Sequence, residues 1–417
     1  SRYLAQAKAM ALKSIDLNNN PEQESLIAQQ AYNFNTTHEG YEYDNDIYRG
    51  LYYALKNQPE RHPLTKSLEA HTKGAARSLV TKTHINHIYS GGSDGKIIQW
   101  VYTDGNWIAN EIVPDRTKTS GYQVYSMDVS PDGNFLLAGG LYFADANNNY
   151  VELYDLRSPK SPPKIIRGFK QAVENLTFTP DGKGFYARDN AGYSIKFSDL
   201  NSVKEVILSK EKLTAIDLSV DGKKIAGAGD NGTLYVWDVV NNYAATPYKM
   251  PDTRLTAVTF SPDGSQLIVG NERGRIWMIR NGLNFRELSG HTSAIEQIKY
   301  NHAGNFMATA SKDYSIRLWN MRDLNKAPTL LSEHDWVWSV AFSPDDEQLM
   351  AGIHSVQETV VGQVDQTIHT YPTKIKTMAG LLCGFVGRNL SKDEWEAYVG
   401  EDLPYEKTCS NLPANDK

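Results

Sequence analysis

The chain has 417 residues and a net charge of −6 at pH 7, with 43 Lys plus Arg and 49 Asp plus Glu. This balance argues against nucleic-acid binding through a generally basic surface, because phosphate affinity depends on clustered Lys and Arg. No apolar run approaches the roughly 18 residues of a membrane helix, so no membrane span is expected in this chain. It begins at Ser1 without a secretory leader, which indicates a processed protein or part of a longer one.

Residues 1–60 are predicted to form a helical lead-in segment. A first helix is indicated by apolar residues at helical spacing, namely Leu4, Ala7, Ala11 and Ile15. Asn20 and Pro21 are typical of an N-cap followed by the first position of a second helix. A third helix is expected between about Asp46 and Leu55. The segment fits a stalk as well as it fits a binding surface.

A unit of roughly forty residues repeats between residues 61 and 372. Each unit alternates short runs of period-two hydrophobicity with tight turns, which predicts antiparallel strands. A turn resembling Ser-Pro-Asp-Gly recurs at Ser130–Gly133, Thr179–Gly182, Ser219–Gly222, Ser261–Gly264, Asn301–Gly304 and Ser343–Asp346. The first unit lacks this turn but resumes the pattern at Ser90, which gives seven units in all.

Two units carry a complete set of four polar and aromatic residues at matching offsets. The sets are His71, Ser90, Asp94 and Trp100 in the first unit and His291, Thr309, Asp313 and Trp319 in the sixth. They resemble the structural tetrad of WD repeats, a chain of hydrogen bonds that satisfies buried polar groups. The resemblance implies a mainly β fold: a seven-bladed WD-repeat β-propeller at 61–372, with a short N-terminal helical segment and a small helical C-terminal tail.

The other units depart from the tetrad to different degrees. The seventh keeps His334 and Asp365, with Tyr371 where Trp is expected. The resemblance implies that His334 is structural, like the histidines of the complete sets. Leu64–Glu69 has strand character but no unit of its own, so we expect it to supply the outer strand of the last blade and to leave no open edge in the ring.

Residues 373–417 are predicted to form a helical C-terminal tail. Ser391 and Glu394 have the spacing of a capping box and open a short helix. Cys383 and Cys409 are the two cysteines of the chain. They either form one disulfide, as an oxidising compartment would allow, or remain two free thiols.

The run from Cys383 to Cys409, which includes Gly387-Arg388-Asn389-Leu390, resembles the C-terminal tail of bacterial STAND NTPases that carry WD-repeat sensor regions. The N-terminal segment resembles the helices before the propeller in Bacteroidetes-type members. The resemblance implies a non-catalytic sensor domain of a larger signalling NTPase, whose ligand relieves autoinhibition. It also implies a membrane helix before the lead-in helices, which favours the periplasmic side of the inner membrane over the cytoplasm.

No catalytic, cofactor or metal site is predicted. Gly91–Ile97 lacks P-loop spacing and lies between two strands. His84, His87 and His354 have no Cys or carboxylate at metal-ligand spacing, and the insertion at Asp145 lacks the Gly and Glu of a calcium loop. The chain is therefore not expected to be an enzyme. The alternatives are a structural scaffold in a larger assembly, such as one in the envelope, and a propeller-based hydrolase or lyase.

A partner-binding surface is expected on the top rim of the ring, just before the first strand of each unit. Trp, Tyr and Arg dominate binding hot spots, so a rim bearing them suits an acidic or aromatic partner. The predicted partner-binding residues are Trp336, Arg254, Lys212, Gln123, Tyr122 and Asp335. Tyr125 and Trp338 fit the rim or the core equally well. The partner is expected to be a protein or an upstream domain of the same polypeptide.

Overall fold

The computed structural model describes residues 2–17, 20–58, 66–68, 71, 74–82, 85–116, 121–251, 253–280, 284–355 and 367–415. The chain divides into two compact units. Ser1–Lys66 and Thr370–Lys417 form one, which we call the helical unit, and Ser67–His369 forms the other, which we call the strand unit. The segments predicted at 1–60 and 373–417 thus share a unit. His84, Asp365, Leu64 and Glu69 lie outside the described residues.

The helical unit contains the helices α1 (Arg2–Ile15), α2 (Pro21–Thr37), α3 (Asn45–Lys56), α4 (Ile375–Leu382) and α5 (Lys392–Tyr398). The Asn20 side chain caps α2 by accepting a hydrogen bond from the Gln23 backbone N–H at 3.1 Å, and Pro21 is the first helical residue. The capping box of Ser391 and Glu394 is present at the start of α5. No helix in the described ranges is both long and apolar enough to cross a bilayer.

Helices α1, α2 and α3 pack on one another, and α4 packs on α2 and α3. The crossing of α1 and α3 depends on Gly50, because a Cβ there would lie 3.0 Å from the carbonyl oxygen of Ala11. The tail is tied to the leading helices by Arg388, whose guanidinium contacts Glu22 at 3.0 Å and Glu394 at 2.9 Å. A disulfide joins Cys383 to Cys409 across a sequence separation of 26 residues.

The strand unit is mainly β, built from groups of strands that follow one another along the chain. Five groups are separate four-stranded antiparallel sheets. They are β6–β9 (Tyr122–Val129, Phe135–Tyr142, Asn149–Asp155, Lys164–Phe169), β10–β13 (Val173–Phe178, Phe185–Asp189, Ser194–Ser198, Val203–Leu208), β14–β17 (Leu213–Leu218, Lys224–Gly229, Thr233–Asp238, Ala244–Lys249), β18–β21 (Leu255–Phe260, Gln266–Asn271, Ile276–Arg280, Asn284–Leu288) and β22–β25 (Ile295–Tyr300, Phe306–Ser311, Ser315–Asn320, Thr329–Ser332).

The remaining eight strands form one sheet. Its members are β1 (Lys66–Leu68), β2 (Gly74–Val80), β3 (His87–Gly92), β4 (Ile97–Thr103), β5 (Asn106–Val113), β26 (Val337–Phe342), β27 (Gln348–Ser355) and β28 (Ile368–Pro372). The order is β1-β28-β27-β2-β3-β4-β5, with β26 paired to β27. The strand expected at Leu64–Glu69 is present as β1, beside β28.

The predicted count of seven blades is wrong, because the described strands form six sheets: five of four strands and one of eight. The first and last repeats share a sheet because Gly74 pairs with Ser355 and Ala75 pairs with His354. Counting repeats detects the local pattern of each unit. It cannot detect a backbone pairing between residues as far apart as Ala75 and His354, which are separated by 354 − 75 = 279 positions.

The first strand of each of the seven repeats lies on the inside of a closed ring. Along the chain β2, β6, β10, β14, β18, β22 and β26 are each neighbours of the next, and β26 is also a neighbour of β2. Side chains join these strands. Ser78 and Ser126 accept hydrogen bonds from the backbone N–H groups of Met127 and Leu176, each at 3.0 Å. The Ser339 hydroxyl donates to the Ala76 carbonyl at 2.9 Å. The ring therefore closes through side-chain to backbone bonds between first strands.

Both complete tetrads form the expected chain of hydrogen bonds. In the first, His71 contacts Asp94 at 2.9 Å and Ser90 at 3.0 Å, and the Trp100 indole N–H donates to Ser90 at 2.9 Å. In the sixth unit the partners and distances correspond closely, with Thr309 in place of the serine. These buried networks fix the strands that the ring depends on.

Candidate functional site

Every first strand contains a β-bulge at the same place. The register shifts between its first apolar position and the residue two further on, as between Val124 and Ser126 or between Val337 and Ser339. A bulge leaves one residue unpaired and re-aims its side chain. The unpaired residues are Arg77, Tyr125, Glu174, Thr214, Thr256, Glu296 and Trp338, which we call the bulge ring.

All members of the bulge ring line a single cavity of about 880 Å³. The cavity lies where the first strands meet, at the centre of the strand unit. Its size is within the range of small-molecule sites, but its lining is built from strand after strand of the ring rather than from one cleft. The repeated bulge thus converts a sequence repeat into a ring of side chains around one opening.

One side of the bulge ring combines cations with aromatic rings. The Arg77 guanidinium lies 3.7 Å from the Tyr125 ring centroid and 4.6 Å from that of Trp338. The Lys312 ammonium lies 4.9 Å from the Trp338 centroid and 5.2 Å from that of Trp336. We call these five residues the cation–aromatic cluster. Each such contact stabilises the pair by about 0.5–2 kcal/mol and fixes the side chains in place.

The charges around the cavity are mostly paired. Glu174 pairs with Arg188 at 2.7 Å and Glu296 with Lys312 at 3.1 Å. Arg77 differs, because within the described ranges its partners are aromatic rings and no carboxylate forms an ion pair with it. It is also only half-buried. A guanidinium in this position can bind a carboxylate group of another molecule.

Burial raises the pKa of two cavity groups. Desolvation raises the pKa of Tyr125, Arg77 lowers it, and Glu174 raises it further, with a net upward shift. Tyr125 therefore remains a neutral phenol at neutral pH, and its hydroxyl donates to Gln123 at 2.9 Å. Burial also raises the pKa of Asp217, against the opposing effect of Lys299 and a hydrogen bond from the Phe260 backbone. Neither Tyr125 nor Asp217 has a positively charged form, so neither adds to the charge of Arg77.

The predicted rim residues differ in their exposure, in their partners and in whether they line the cavity. Trp336 is 36% exposed and stacks on His354, with ring centroids 5.5 Å apart. Asp335 accepts a hydrogen bond from the Trp336 backbone N–H at 2.7 Å. Arg254 lines the cavity but is paired with Asp230 at 2.7 Å. The residues Lys212, Gln123, Asp335 and Trp336 do not line the cavity.

Tyr122 was expected on the rim, and the structure corrects this. Its side chain is fully buried, stacked on Tyr150 with centroids 5.1 Å apart. Its hydroxyl donates to the Tyr150 carbonyl at 3.1 Å, and Arg116 lies 4.5 Å above its ring. A residue so enclosed contributes to the core and cannot contact a partner.

The sequence contained a signal for the bulge ring. Each of the six members that precede a Ser-Pro-Asp-Gly-like turn lies five positions before the first residue of that turn, as Tyr125 lies before Ser130 and Trp338 before Ser343. The rim prediction used the positions seven before the turn, such as Gln123 and Trp336. The two sets differ by two positions, and most of the predicted residues, such as Trp336, precede the first strand rather than lie on it.

The repeats match a family model described as "WD domain, G-beta repeat" at residues 115–155, 204–238, 282–320 and 326–369. The chain is 26% identical over 267 residues to "Protein LST8 homolog" of Drosophila pseudoobscura pseudoobscura, covering 60% of this chain and 81% of that protein. It is 21% identical over 274 residues to "Target of rapamycin complex subunit LST8" of Bos taurus, covering 59% and 82%.

Among solved structures, the WD40 β-propeller domain of Doa1 aligns with a TM-score of 0.60 and 16% identity. The alignment covers 74% of this chain and 95% of that one. Four segments of the chain thus match WD40 repeats, and its fold is that of a β-propeller.

Proposed function

We propose that the chain is the sensor or interaction part of a larger signalling NTPase, and that it binds a protein partner at the cation–aromatic cluster. The observation that carries the binding site is Arg77, a half-buried cation held between Tyr125 and Trp338 without an ion-pair partner in the described residues. Arg, Trp and Tyr are the residues that most often dominate interface energy. The resemblance of the tail between Cys383 and Cys409 to STAND NTPases supports the sensor role.

The chemistry of the cluster indicates which part of the partner binds there. An exposed Asp or Glu side chain of the partner would pair with Arg77 and gain charge-assisted hydrogen bonds. The flat faces of Trp336 and Trp338 provide apolar area beside it at low entropic cost, since an aromatic side chain has few rotatable bonds. Arg254 lines the cavity, and Trp336 and Lys212 extend the proposed surface beyond it.

A comparison of baits tests this site. Wild-type chain, Arg77→Gln and Trp338→Leu are used to capture proteins from a lysate of the source organism, followed by quantitative mass spectrometry. The matched control is Thr256→Ser, which changes a bulge-ring residue on β18, away from the neighbours of β2. We expect one protein to be held by wild type and control and to lose at least about 2 kcal/mol of binding to the two cluster variants.

The same capture experiment distinguishes the cation–aromatic cluster from the surface at Trp336 and Arg254. A partner retained equally by Arg77→Gln and wild type would contradict the cluster as the site. The double variant Trp336→Ala with Arg254→Ala tests the extended surface. Trp336 and Arg254 are both exposed, and the Arg254–Asp230 ion pair is about half exposed. Truncation of the two side chains should therefore change the free energy of unfolding by less than about 1 kcal/mol.

A structural scaffold within a larger assembly is the second candidate. It is favoured by the relatives whose names include "complex subunit". In that case the chain would co-purify with several proteins in fixed ratio, and substitution of the cluster would release only the one that contacts it. A sensor would instead release one ligand and change the activity of the attached NTPase.

A further inference from the structure

The strand unit brings together one carboxylate and two imidazoles away from the central cavity. Glu333 and His334 follow β25, and His369 lies on β28. Their ligand atoms, one carboxylate oxygen and one nitrogen from each ring, all lie within 4.8 Å of one another. The group is formed by the fold, because His369 is 36 residues from Glu333.

The ligand atoms of the three side chains lie close enough for small side-chain rotations to place them around one ion. The Glu333 carboxylate is 2% exposed and lies 2.7 Å from His369 Nδ1, so these two groups are held at the base of the site. His334 is exposed, and its ring centroid lies 5.6 Å from that of His369. Rotation of this one exposed side chain can bring its nitrogen to the roughly 3.3 Å separation that ligands have around an ion bound at 2.0–2.1 Å.

His334 is more exposed than the histidines of the two complete tetrads. Its counterparts His71 and His291 are buried and bonded at both ring nitrogens. In the part of the chain that the structure describes, His334 makes no hydrogen bond through its ring. Its expected tetrad partner Asp365 lies outside the described residues, so the structural role of His334 stays a prediction, and the exposure of its ring makes it accessible to a ligand.

We propose that Glu333, His334 and His369 bind one divalent transition-metal ion, with Zn²⁺ as the ion that fits them best. Two imidazoles and one carboxylate are a ligand set of Zn²⁺, whereas Ca²⁺ and Mg²⁺ prefer oxygen ligands alone. Three protein ligands leave a fourth position open, and it faces solvent because His334 is exposed.

The ordinary alternative is a hydrogen-bonded His–carboxylate pair without a metal. The chain offers a matched example in His302, whose Nδ1 lies 2.8 Å from Asp346 with no second imidazole in the site. His302→Asn therefore removes a histidine from a comparable pair and serves as the control. His334→Ala removes the exposed ligand only, so we expect the fold to be retained, and circular dichroism checks this.

The test uses the full chain, stripped of metal by chelation, and titrated with Zn²⁺ by calorimetry and with Co²⁺ by visible absorption. We expect one ion per chain, a Co²⁺ spectrum of low coordination number, and an affinity at least about tenfold weaker in His334→Ala. His302→Asn should bind as wild type does.

The proposal is overturned if wild type binds no Zn²⁺ in the micromolar range, or if His334→Ala binds as tightly as wild type. It is also overturned if His302→Asn loses the ion to the same extent. Arg77→Gln should leave metal binding unchanged, so failure at this site and failure of the proposed partner surface are distinguishable.

Discussion

His291 is a buried imidazole with both ring nitrogens engaged, Nδ1 with Asp313 at 2.9 Å and Nε2 with Thr309 at 2.7 Å. Burial is the largest influence and lowers the pKa of His291, although the hydrogen bond to Asp313 opposes it. Burial acts to raise the pKa of Asp313, but hydrogen bonds from His291 and Ser315 outweigh it and the pKa falls well below its usual range. The tetrad is therefore most stable with a neutral imidazole and an ionised carboxylate.

The sign of the pH dependence follows from these directions. Below the unfolded pKa of about 6.5, the unfolded chain binds a proton at His291 that the folded chain does not, so stability is lost as pH falls. Asp313 contributes stability above its unfolded pKa of about 3.9, and this contribution is lost at still lower pH. Both groups therefore make the strand unit less stable in acid.

We expect His291→Gln to lower the free energy of unfolding by about 1–3 kcal/mol at pH 7, since it leaves buried partners unsatisfied. It should also reduce the loss of stability between pH 7 and pH 5. Urea unfolding followed by tryptophan fluorescence at both pH values measures this. Asn231→Ala, at the Asp position of the fourth repeat, carries no titratable group and should keep the wild-type slope. If His291→Gln lost as much stability as wild type between pH 7 and pH 5, the assignment of this pH dependence to His291 would be contradicted.

At the scale of elements, close packing decides which glycines can be replaced. A Cβ on Gly50 would lie 3.0 Å from the Ala11 carbonyl oxygen and 3.2 Å from its Cβ, at the crossing of α1 and α3. Gly380 in α4 is exposed, and a Cβ there would meet nothing within 4 Å. Helix propensity favours Ala at both positions. Packing opposes it only at the first.

We therefore expect opposite effects from the same substitution. Gly50→Ala should destabilise the helical unit by about 1–3 kcal/mol through overpacking. Gly380→Ala should stabilise it by about 0.5–1 kcal/mol. Thermal unfolding monitored by circular dichroism at 222 nm, where helices dominate, measures both. If both variants shift the transition in one direction, the close approach of α1 and α3 does not limit packing.

The last turn of the repeat series replaces glycine with Asp346, which has φ of 57°. Its carboxylate accepts hydrogen bonds from the backbone N–H groups of His302 and Ala303, each at 2.9 Å. Burial acts to raise its pKa, but the bonds from His302 and Ala303 outweigh this effect and lower it. Asp346 therefore links two neighbouring turns at the cost of a left-handed backbone conformation.

Two substitutions at Asp346 separate these contributions. Both Asp346→Gly and Asp346→Ala remove the acceptor and should destabilise the strand unit by about 1–3 kcal/mol. The alanine variant should be worse than the glycine variant by about 1 kcal/mol, because only glycine adopts a positive φ without strain. Melting temperatures of the two proteins, compared directly, measure the difference. Equal melting temperatures would show that the backbone conformation relaxes after substitution.

At the scale of the whole molecule, the chain has one unit closed by a disulfide and one closed by strand pairing. The Cys383–Cys409 bond joins residues 26 positions apart in the helical unit and encloses α5. The strand unit is held by its ring of first strands and contains no cysteine in its sequence. The two units should therefore respond differently to reduction.

We expect reduction to destabilise the helical unit by up to about 3.5 kcal/mol, from the entropy of opening a loop of this length. Hydrogen exchange measured by mass spectrometry, with and without reductant, should become faster in α4 and α5 and remain unchanged in β14–β20. The variant Cys383→Ala with Cys409→Ala is the control and should show no response to reductant. Faster exchange throughout the strand unit would contradict the separate roles of the two closures.

The sequence by itself determined the features that depend on nearby residues. The cap of Asn20, the capping box at Ser391, the recurring turns and the two tetrads involve residues within one element or one repeat, where propensity and spacing act directly. The mainly β character and the class of protein follow from the same repeated pattern. The resemblance to WD repeats was therefore predictable from the sequence, while the partner was not.

Only the tertiary structure decided the features that depend on distant residues. The pairing of Gly74 and Ala75 with β27 merges the first and last repeats, and the burial of Tyr122 removes it from the surface. The bulges turn Arg77 and Trp338 toward one cavity, and the return of β28 brings His369 to Glu333. Strand alternation predicts which face a side chain takes. Where the chain closes on itself, and which side chains then meet, is set by long-range packing that a local pattern does not encode.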